Sequence, residues 1–278
     1  MNVITISRSY GSAGSLFGKR LAERLGYKYV DDGFIKYLKT HKEAANVLLR
    51  NLEDEKSPDI SDRFTELIHN KSYFKTAITV ALYSLIIKTD VVVVGGGAHL
   101  ILEEYPSRIR IQIIRDINER IFDIMNEKGL SEEDAIDLVN KKDKEKKKFI
   151  EFYFDRDLND PSSFDIIFNA SSVRLEHALD IMELYAERFF SRIDQDEARL
   201  FAAKRLLEHR AKLVVMHHEL ATKSKVEFEA LAEDALLVKG IVGGEKEKDR
   251  LIKALWGLKG INKVTDHLKI GTLSRLIY

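Results

Sequence analysis

The residues best suited to chemistry lie close to the amino terminus, in Ser7-Arg8-Ser9-Tyr10-Gly11-Ser12-Ala13-Gly14-Ser15. Small side chains let backbone amides approach a ligand, and one cation stands among them. Val3 to Ile6 ahead of the loop is a β-branched run, suited to a strand buried on both faces. Behind it, Leu16, Phe17, Leu21 and Leu25 recur at helical spacing, and Gly26 sits where a helix should stop. Strand, small-residue loop and helix make the layout of a phosphate cradle, with loop N–H groups and the positive helix end turned toward an anion. The usual cradle reads G-x-x-x-x-G-K-[ST]. Here Arg8 replaces the first glycine, Ala13 the second and Gly14 the lysine, and Ser15 alone fits. The loop by itself reads equally as a phosphate site or as a plain βα turn.

Further along, Val91-Val92-Val93-Val94-Gly95-Gly96-Gly97-Ala98 reads as a central parallel strand that delivers its glycine turn to a ligand edge. Arg108 to Ile114 alternates as a strand, and Asp116 to Met125 is helical and carries Arg120. Ser131 followed by Asp134 has the form of a helix start. That helix runs into Lys141-Lys142-Asp143-Lys144-Glu145-Lys146-Lys147-Lys148. A solvated helix face is the plain reading of such a run. Nucleic-acid binding would call for interleaved aromatics and a basic domain, and Asp143 and Glu145 interrupt the charge. Phe164 to Ser171 is a last strand with its exit, and a helix from Val173 to about Phe190 follows.

Several of these blocks, in this order, resemble the cytidylate kinase-like family, a divergent branch of the P-loop nucleoside monophosphate kinases. The opening Ile4 to Gly14, the Leu21-Ala22-Glu23-Arg24-Leu25-Gly26 segment and Asp31-Asp32 carry the likeness, because the family commonly reads I-S-R-x-Y-G-S-G-G and lacks the P-loop lysine. The likeness extends from Val3 to roughly Phe190. It implies an α/β fold, a P-loop kinase-type three-layer domain with a parallel sheet, and transfer of a phosphoryl group from ATP with Mg²⁺ to CMP or dCMP. Gly11, Ser12, Ala13, Gly14 and Ser15 would then hold donor phosphates, with Ser15 also at the metal. Arg8, Arg120, Lys146 and Arg156 would supply positive charge to the transferring group, and Arg8 is the nearest cation to stand in for the missing lysine. Asp31 matches an aspartate near the acceptor nucleotide, and reads equally as a helix N-cap. Helices between Phe34 and Lys88 would form the acceptor pocket. Asp143 to Lys146 matches a lid D-x-x-R with lysine for arginine, and Gly96 stands where an arginine is expected. Both departures remove bidentate phosphate contacts.

Bulk properties set the frame. The 278 residues suffice for one large domain or two ordinary ones. Lys+Arg and Asp+Glu both number 45, so no global field draws in nucleic acid or an anionic membrane. Cysteine is absent, which excludes disulfides, thiolate metal sites and cysteine nucleophiles. A strand starts almost at once and no apolar run nears the roughly 20 residues of a membrane span, so the expected location is the cytoplasm.

The domains expected are 1–190 for the kinase-like part, 191–196 as linker and 197–278 for a second module. In the last, a long helix through Ala198, Phe201, Leu206 and Leu207 precedes two strands, a helix from Glu245 to Leu258 and a strand from Lys263 to Ile270. Lys239-Gly240-Ile241-Val242-Gly243 and the stretch from Leu258 to Ile270 resemble a BON domain, a small α+β module of α-β-β-α-β order. That resemblance implies a lipid, small-molecule or protein partner. His209, His217 and His218 lack the H-E-x-x-H pattern of a zinc site, and Trp256, the one tryptophan, is expected in the core. Three functions are carried forward: a nucleoside monophosphate kinase, a catalytically impaired nucleotide sensor that signals through the second module, and a scaffold that no longer binds nucleotide.

Overall fold

The computed structural model describes residues 1–31, 71–217 and 225–271. They fall into two compact units, one of 1–31 with 88–198 and one of 71–87 with 199–217 and 225–271.

In the first unit the strands are β1 (Val3–Arg8), β2 (Lys28–Val30), β3 (Val91–Val94), β4 (Arg108–Ile114) and β5 (Ile166–Asn169). They form one sheet in the order β2-β3-β1-β4-β5, with every pairing parallel. β1 is central, flanked by β3 through Ile6↔Val94 and by β4 through Ile6↔Ile111. Central strands of a parallel sheet are covered on both faces, which is why Val3 to Ser7 and all four valines of β3 are buried. β4, between β1 and β5, instead alternates, burying Ile109, Ile111 and Ile113.

Helix α1 (Gly14–Leu25) follows β1 and ends at Gly26, in the left-handed conformation the sequence anticipated. α1 buries Phe17, Leu21 and Ala22 on Ile4, Ile6, Val92 and Val94, and Ala178, Leu179 and Met182 join the same core. The last three belong to a later helix, Leu175–Phe190. Each fully buried leucine or methionine there contributes about 2–3 kcal/mol. Gly18 lets α1 lie flat on the sheet, since a Cβ there would stand 2.5 Å from Val94 Cγ2.

Helix α2 (Lys71–Ile86), apolar nearly all round and largely buried, is counted with the second unit. Burial pushes the Tyr73 phenol there up to about 12. Back in the first unit, α3 (Ala98–Ile101) follows β3, and α4 (Ile117–Lys128) follows β4 and is capped by the Asp116 carboxylate. α5 (Glu132–Phe154) is one unbroken helix of 23 residues, started as expected by Ser131, whose Oγ accepts from the Asp134 N–H at 3.2 Å. The lysine run and the aromatic Phe149 to Phe154 both lie within it. α6 (Leu175–Phe190) completes the unit, and a turn at 191–194 leads to α7 (Gln195–His217).

The second unit takes α7 from Arg199 onward. Its strands β6 (Lys225–Ala232), β7 (Ala235–Val242) and β8 (Lys263–Ile270) form a mixed sheet, β6-β7 antiparallel and β7-β8 parallel. Helix α8 (Glu245–Trp256) joins β7 to β8, so the helix–strand–strand–helix–strand order is present. Leu207, Ala211, Val214, Leu236, Val238, Leu251 and Leu255 fill the core. Gly240 crosses Lys225 so closely, at φ +134°, that a Cβ would stand 2.0 Å from the Lys225 carbonyl oxygen. Trp256 departs from expectation. Leu251 and Leu255 take the inward face of α8, which turns the neighbouring Trp256 outward, 50% exposed.

Candidate functional site

The carboxyl edge of the parallel sheet gathers the loops that the sequence singled out. The chain leaves β1 at Arg8, folds through Ser9 to Ala13 and enters α1 at Gly14. Ser12 is buried, its Oγ 2.9 Å from Ser9 O and 3.3 Å from Ile113 O, which ties the loop to the end of β4. Ala13 sits at the N-cap in the left-handed region, φ 60°, where an L-residue without special cause costs about 1 kcal/mol. Its side chain cannot cap, and the first turn of α1 carries no acidic residue. Among the described residues, no N-cap side chain therefore supplies an acceptor to the amides that open α1. Gly14 is needed for close approach: a Cβ there would lie 2.4 Å from Arg8 Cβ. Ser15, the second residue of α1, is exposed.

Two side chains of α5 reach this loop. Asp143 Oδ1 accepts the Tyr10 backbone N–H at 3.0 Å, and its Oδ2 accepts from Arg120 Nη1 at 2.7 Å. Arg120 Nη1 also donates to Tyr10 O at 2.9 Å, and its Nε to Arg115 O at 3.1 Å. Arg120 is 6% exposed, so its charge is satisfied within the protein rather than by water. One turn beyond Asp143, Lys146 Nζ donates to Ser7 Oγ at 3.0 Å and to Arg8 O. Asp143 and Lys146 are turned inward, whereas Lys141, Lys142, Lys144, Lys147 and Lys148 are exposed. Tyr10 packs into a small cluster with Ile121, Ile124, Ala135 and Val139, so apolar contacts hold the same hairpin of α4 and α5 to the loop.

The glycine turn after β3 borders this region. Gly97 has φ 72°, and a Cβ there would stand 2.4 Å from the Phe154 ring at the end of α5. Gly96, also at positive φ, brings no charge to the site. His99, which no motif marks, is 4% exposed and stacks on Phe164 with centroids 4.8 Å apart. Burial, aided by the Lys146 and Arg110 charges, pushes its pKa down to about 3. The buried His99 imidazole is thereby held neutral.

Among the positions the sequence proposed, Arg8, Gly11 to Ser15, Arg120 and Lys146 come together around the β1–α1 loop. Arg156 is bonded instead to Glu103 in an exposed pair, at 3.0 and 3.2 Å. Asp31 is exposed just beyond β2, and the acceptor helices before Lys71, with the cap reading of Asp31, lie outside the described residues. For nucleotide phosphates the loop fits: an N-cap with no side-chain cap, a glycine where no side chain can enter, and the Lys146 ammonium at the loop's start. For Mg²⁺ the chain offers the Ser15 hydroxyl. Among the described residues no group of three or more His, Asp or Glu is placed to hold a metal. Mg²⁺ would arrive with the nucleotide, as it does where substrate phosphates supply much of the coordination. His209, in the second unit, is pushed down to about 4 by burial and by Lys212 and Arg205, and belongs to no such group.

Residues 3–172 match the model of the cytidylate kinase-like family. No curated protein matches the chain in sequence. Among solved structures it is similar to an uncharacterized protein from Eubacterium ventriosum ATCC 27560, at 22% identity and TM-score 0.49, covering 67% of this chain and 99% of that one. It is also similar to a shikimate kinase from Bacteroides thetaiotaomicron, at 15% identity and TM-score 0.38, over 67% of this chain and 98% of that one. A gluconokinase from Sinorhizobium meliloti 1021 is similar at 14% identity and TM-score 0.39, over 69% of this chain and 98% of that one. Among the described residues no helix is long and apolar enough to cross a membrane.

Proposed function

The chain belongs to the cytidylate kinase-like family, and we propose that it is a phosphotransferase that takes its phosphoryl group from ATP. The acceptor we assign is a nucleoside monophosphate, CMP or dCMP. The observation that carries the reading is the β1–α1 loop, whose uncapped amides and left-handed Ala13 open α1 beneath an inward-facing lysine from α5. Backbone strain at a non-glycine residue persists where its surroundings fix it, and such sites cluster at ligand clamps.

Phosphoryl transfer asks for positioning and electrostatic stabilisation more than for covalent help. ATP with Mg²⁺ supplies the transferable group when bound. The amides of Gly11 to Ser15 would orient its phosphates, with Ser15 at the metal. Arg8 and Lys146 would balance charge at the end of β1. Arg120, buried on Asp143, would hold the α4–α5 hairpin against the loop, and Arg156 would add charge on leaving Glu103. Asp31 would lie on the acceptor side. We assign the second unit, in the α-β-β-α-β order of a BON-like module, to a lipid, small-molecule or protein partner, and place the whole in the cytoplasm.

A sensor without turnover is the second reading. It is favoured by Gly96, which brings no arginine, and by the carboxylates already held by Arg120 and Arg156. The test is ADP release with ATP and Mg²⁺ across a panel of nucleoside monophosphates. Release stimulated by one cytidine nucleotide supports the kinase. ATP binding without release from any monophosphate rejects it in favour of the sensor.

A further inference from the structure

The chain as a whole is neutral, with Lys+Arg and Asp+Glu both at 45, yet the charge is divided between its two units. Among the described residues, acidic side chains outnumber basic ones in the first unit, and basic outnumber acidic in the second. A field cancelled in the total is thus present locally, and a basic unit attracts polyanions.

The mixed sheet of the second unit shows where that charge is displayed. Ala230, Leu236, Val238, Val242 and Leu268 turn into the core shared with α7 and α8. Successive residues of a strand alternate between faces, so the positions between these share the opposite face. On β8 they are Lys263, Thr265, His267 and Lys269, and all but Thr265 are exposed. Asp266, the one acid of β8, turns the other way and is bonded to Lys248 of α8 at 2.8 Å. The register sets Lys239 of β7 beside His267, and Ile241 between Lys225 of β6 and Lys269. Lys225 and Lys239 are exposed as well. Glu227 and Glu229 lie on this face on the β6 side, where Lys239 pairs with Glu229. Among the described residues, Lys225, Lys263 and Lys269 form no ion pair. The β8 side of the face is therefore left basic, on a strand that ends the sheet.

From this arrangement we propose that the open face of the β6-β7-β8 sheet binds a nucleic-acid strand through its phosphates. Lys263 and Lys269 are the principal contacts, with Thr265 and His267 between them and Lys225 across the end of the sheet. Residues two apart on a strand stand roughly 6.6 Å from each other, a regular row that can follow an extended phosphodiester backbone. Lysine ammonium and threonine hydroxyl groups are both common phosphate contacts. A membrane surface would call for apolar side chains in the same row, and β8 places none there. Contacts confined to phosphates carry no base preference, so strands of different sequence should bind alike. The inference goes beyond the phosphotransferase reading and does not depend on it.

The test is fluorescence anisotropy of a labelled, mixed-sequence single-stranded oligonucleotide titrated with the full chain over a series of salt concentrations. The variants are the double substitution Lys263→Gln with Lys269→Gln, and Lys253→Gln on the exposed surface of α8 as control. The wild type should bind, with log affinity falling linearly as log salt rises. Each phosphate contact to a single strand contributes about 0.7 to that slope, so the double variant should flatten it by about 1.4 and weaken binding about tenfold at low salt. Lys253→Gln should bind as the wild type. Both substituted lysines are exposed, so the denaturation midpoint read from Trp256 should stay in place in the double variant. Vesicles of anionic phospholipid and polyglutamate serve as competing probes. A wild type that leaves the oligonucleotide free, or a double variant with unchanged slope and affinity, overturns the inference. Vesicles bound in place of the oligonucleotide overturn it in favour of a lipid partner, and polyglutamate bound as tightly, charge for charge, in favour of an acidic protein. The kinase reading stands in each of these cases, since ADP release tests it separately.

Discussion

The buried pair between Arg120 and Asp143 fixes how firmly the α4–α5 hairpin is held to the loop, and its strength can be measured. Arg120 Nη1 and Asp143 Oδ2 are 2.7 Å apart, with the arginine side chain 8% and the aspartate 34% exposed. Breaking a fully buried pair from one side costs about 3–5 kcal/mol. Water at the aspartate screens this one, so a charge-assisted hydrogen bond of about 2 kcal/mol is the better measure. Asp143→Asn keeps an acceptor for the Tyr10 N–H and removes the charge, which isolates the ionic part. We expect it to lower the stability of the first unit by about 2 kcal/mol, a drop of about 4–8 °C for a unit of this size. The sole tryptophan, Trp256, reports the second unit, so calorimetry is the appropriate assay for the first. The full cycle adds Arg120→Met and the double variant. Because the two groups share one contact, the double variant should lose about 1.5 kcal/mol less than the sum of the singles. A coupling below about 0.5 kcal/mol would refute the reasoning, since sites that do not interact add within that margin.

Other expectations follow from single positions. Ala13→Gly relieves the left-handed strain and should raise stability by about 1 kcal/mol in urea denaturation, and a loss would show that Ala13 makes a contact this account omits. Gly240→Ala drives a Cβ to 2.0 Å from the Lys225 carbonyl oxygen and should cost the second unit about 3 kcal/mol or more, read from Trp256 fluorescence. An unchanged midpoint would sink that claim. His99 is held neutral in the folded chain, with its pKa at about 3 against an ordinary 6.5. Its contribution is present in full above pH 6.5 and is lost as pH falls toward 3, because the unfolded chain takes up the proton first. At pH 5 the loss is about 2 kcal/mol, so His99→Gln should lose about that much less stability between pH 7 and pH 5. An equal acid loss in wild type and variant would show that His99 is not the group responsible.

The sheet was legible because its strands are unambiguous. Val3 to Ile6 and the four valines at 91–94 are too apolar and β-branched for an exposed site, and the alternation at 108–114 announced a half-covered strand. Caps were equally readable where one residue decides them, as at Gly26 and Ser131. The lysine run shows where reading along the chain stops. Its composition gives the solvated face correctly for five lysines, while the inward turn of Asp143 and Lys146 depends on which face of α5 meets β1. His99 was invisible for the same reason, as its burial comes from Phe164, which is distant in sequence. Trp256 was misplaced by its type. A large aromatic is usually buried, but Leu251 and Leu255 had already taken the inward face of a short amphipathic helix.

The central claim is that the β1–α1 loop binds the phosphates of a nucleoside triphosphate. Amide chemical shifts of the isotopically labelled full chain, titrated with ATP and Mg²⁺, test it residue by residue. The account predicts saturable shifts largest at Gly11 to Ser15, with Tyr10 and Lys146 moving in step. Shifts confined to other parts of the chain, or no saturable shift at all, would contradict it.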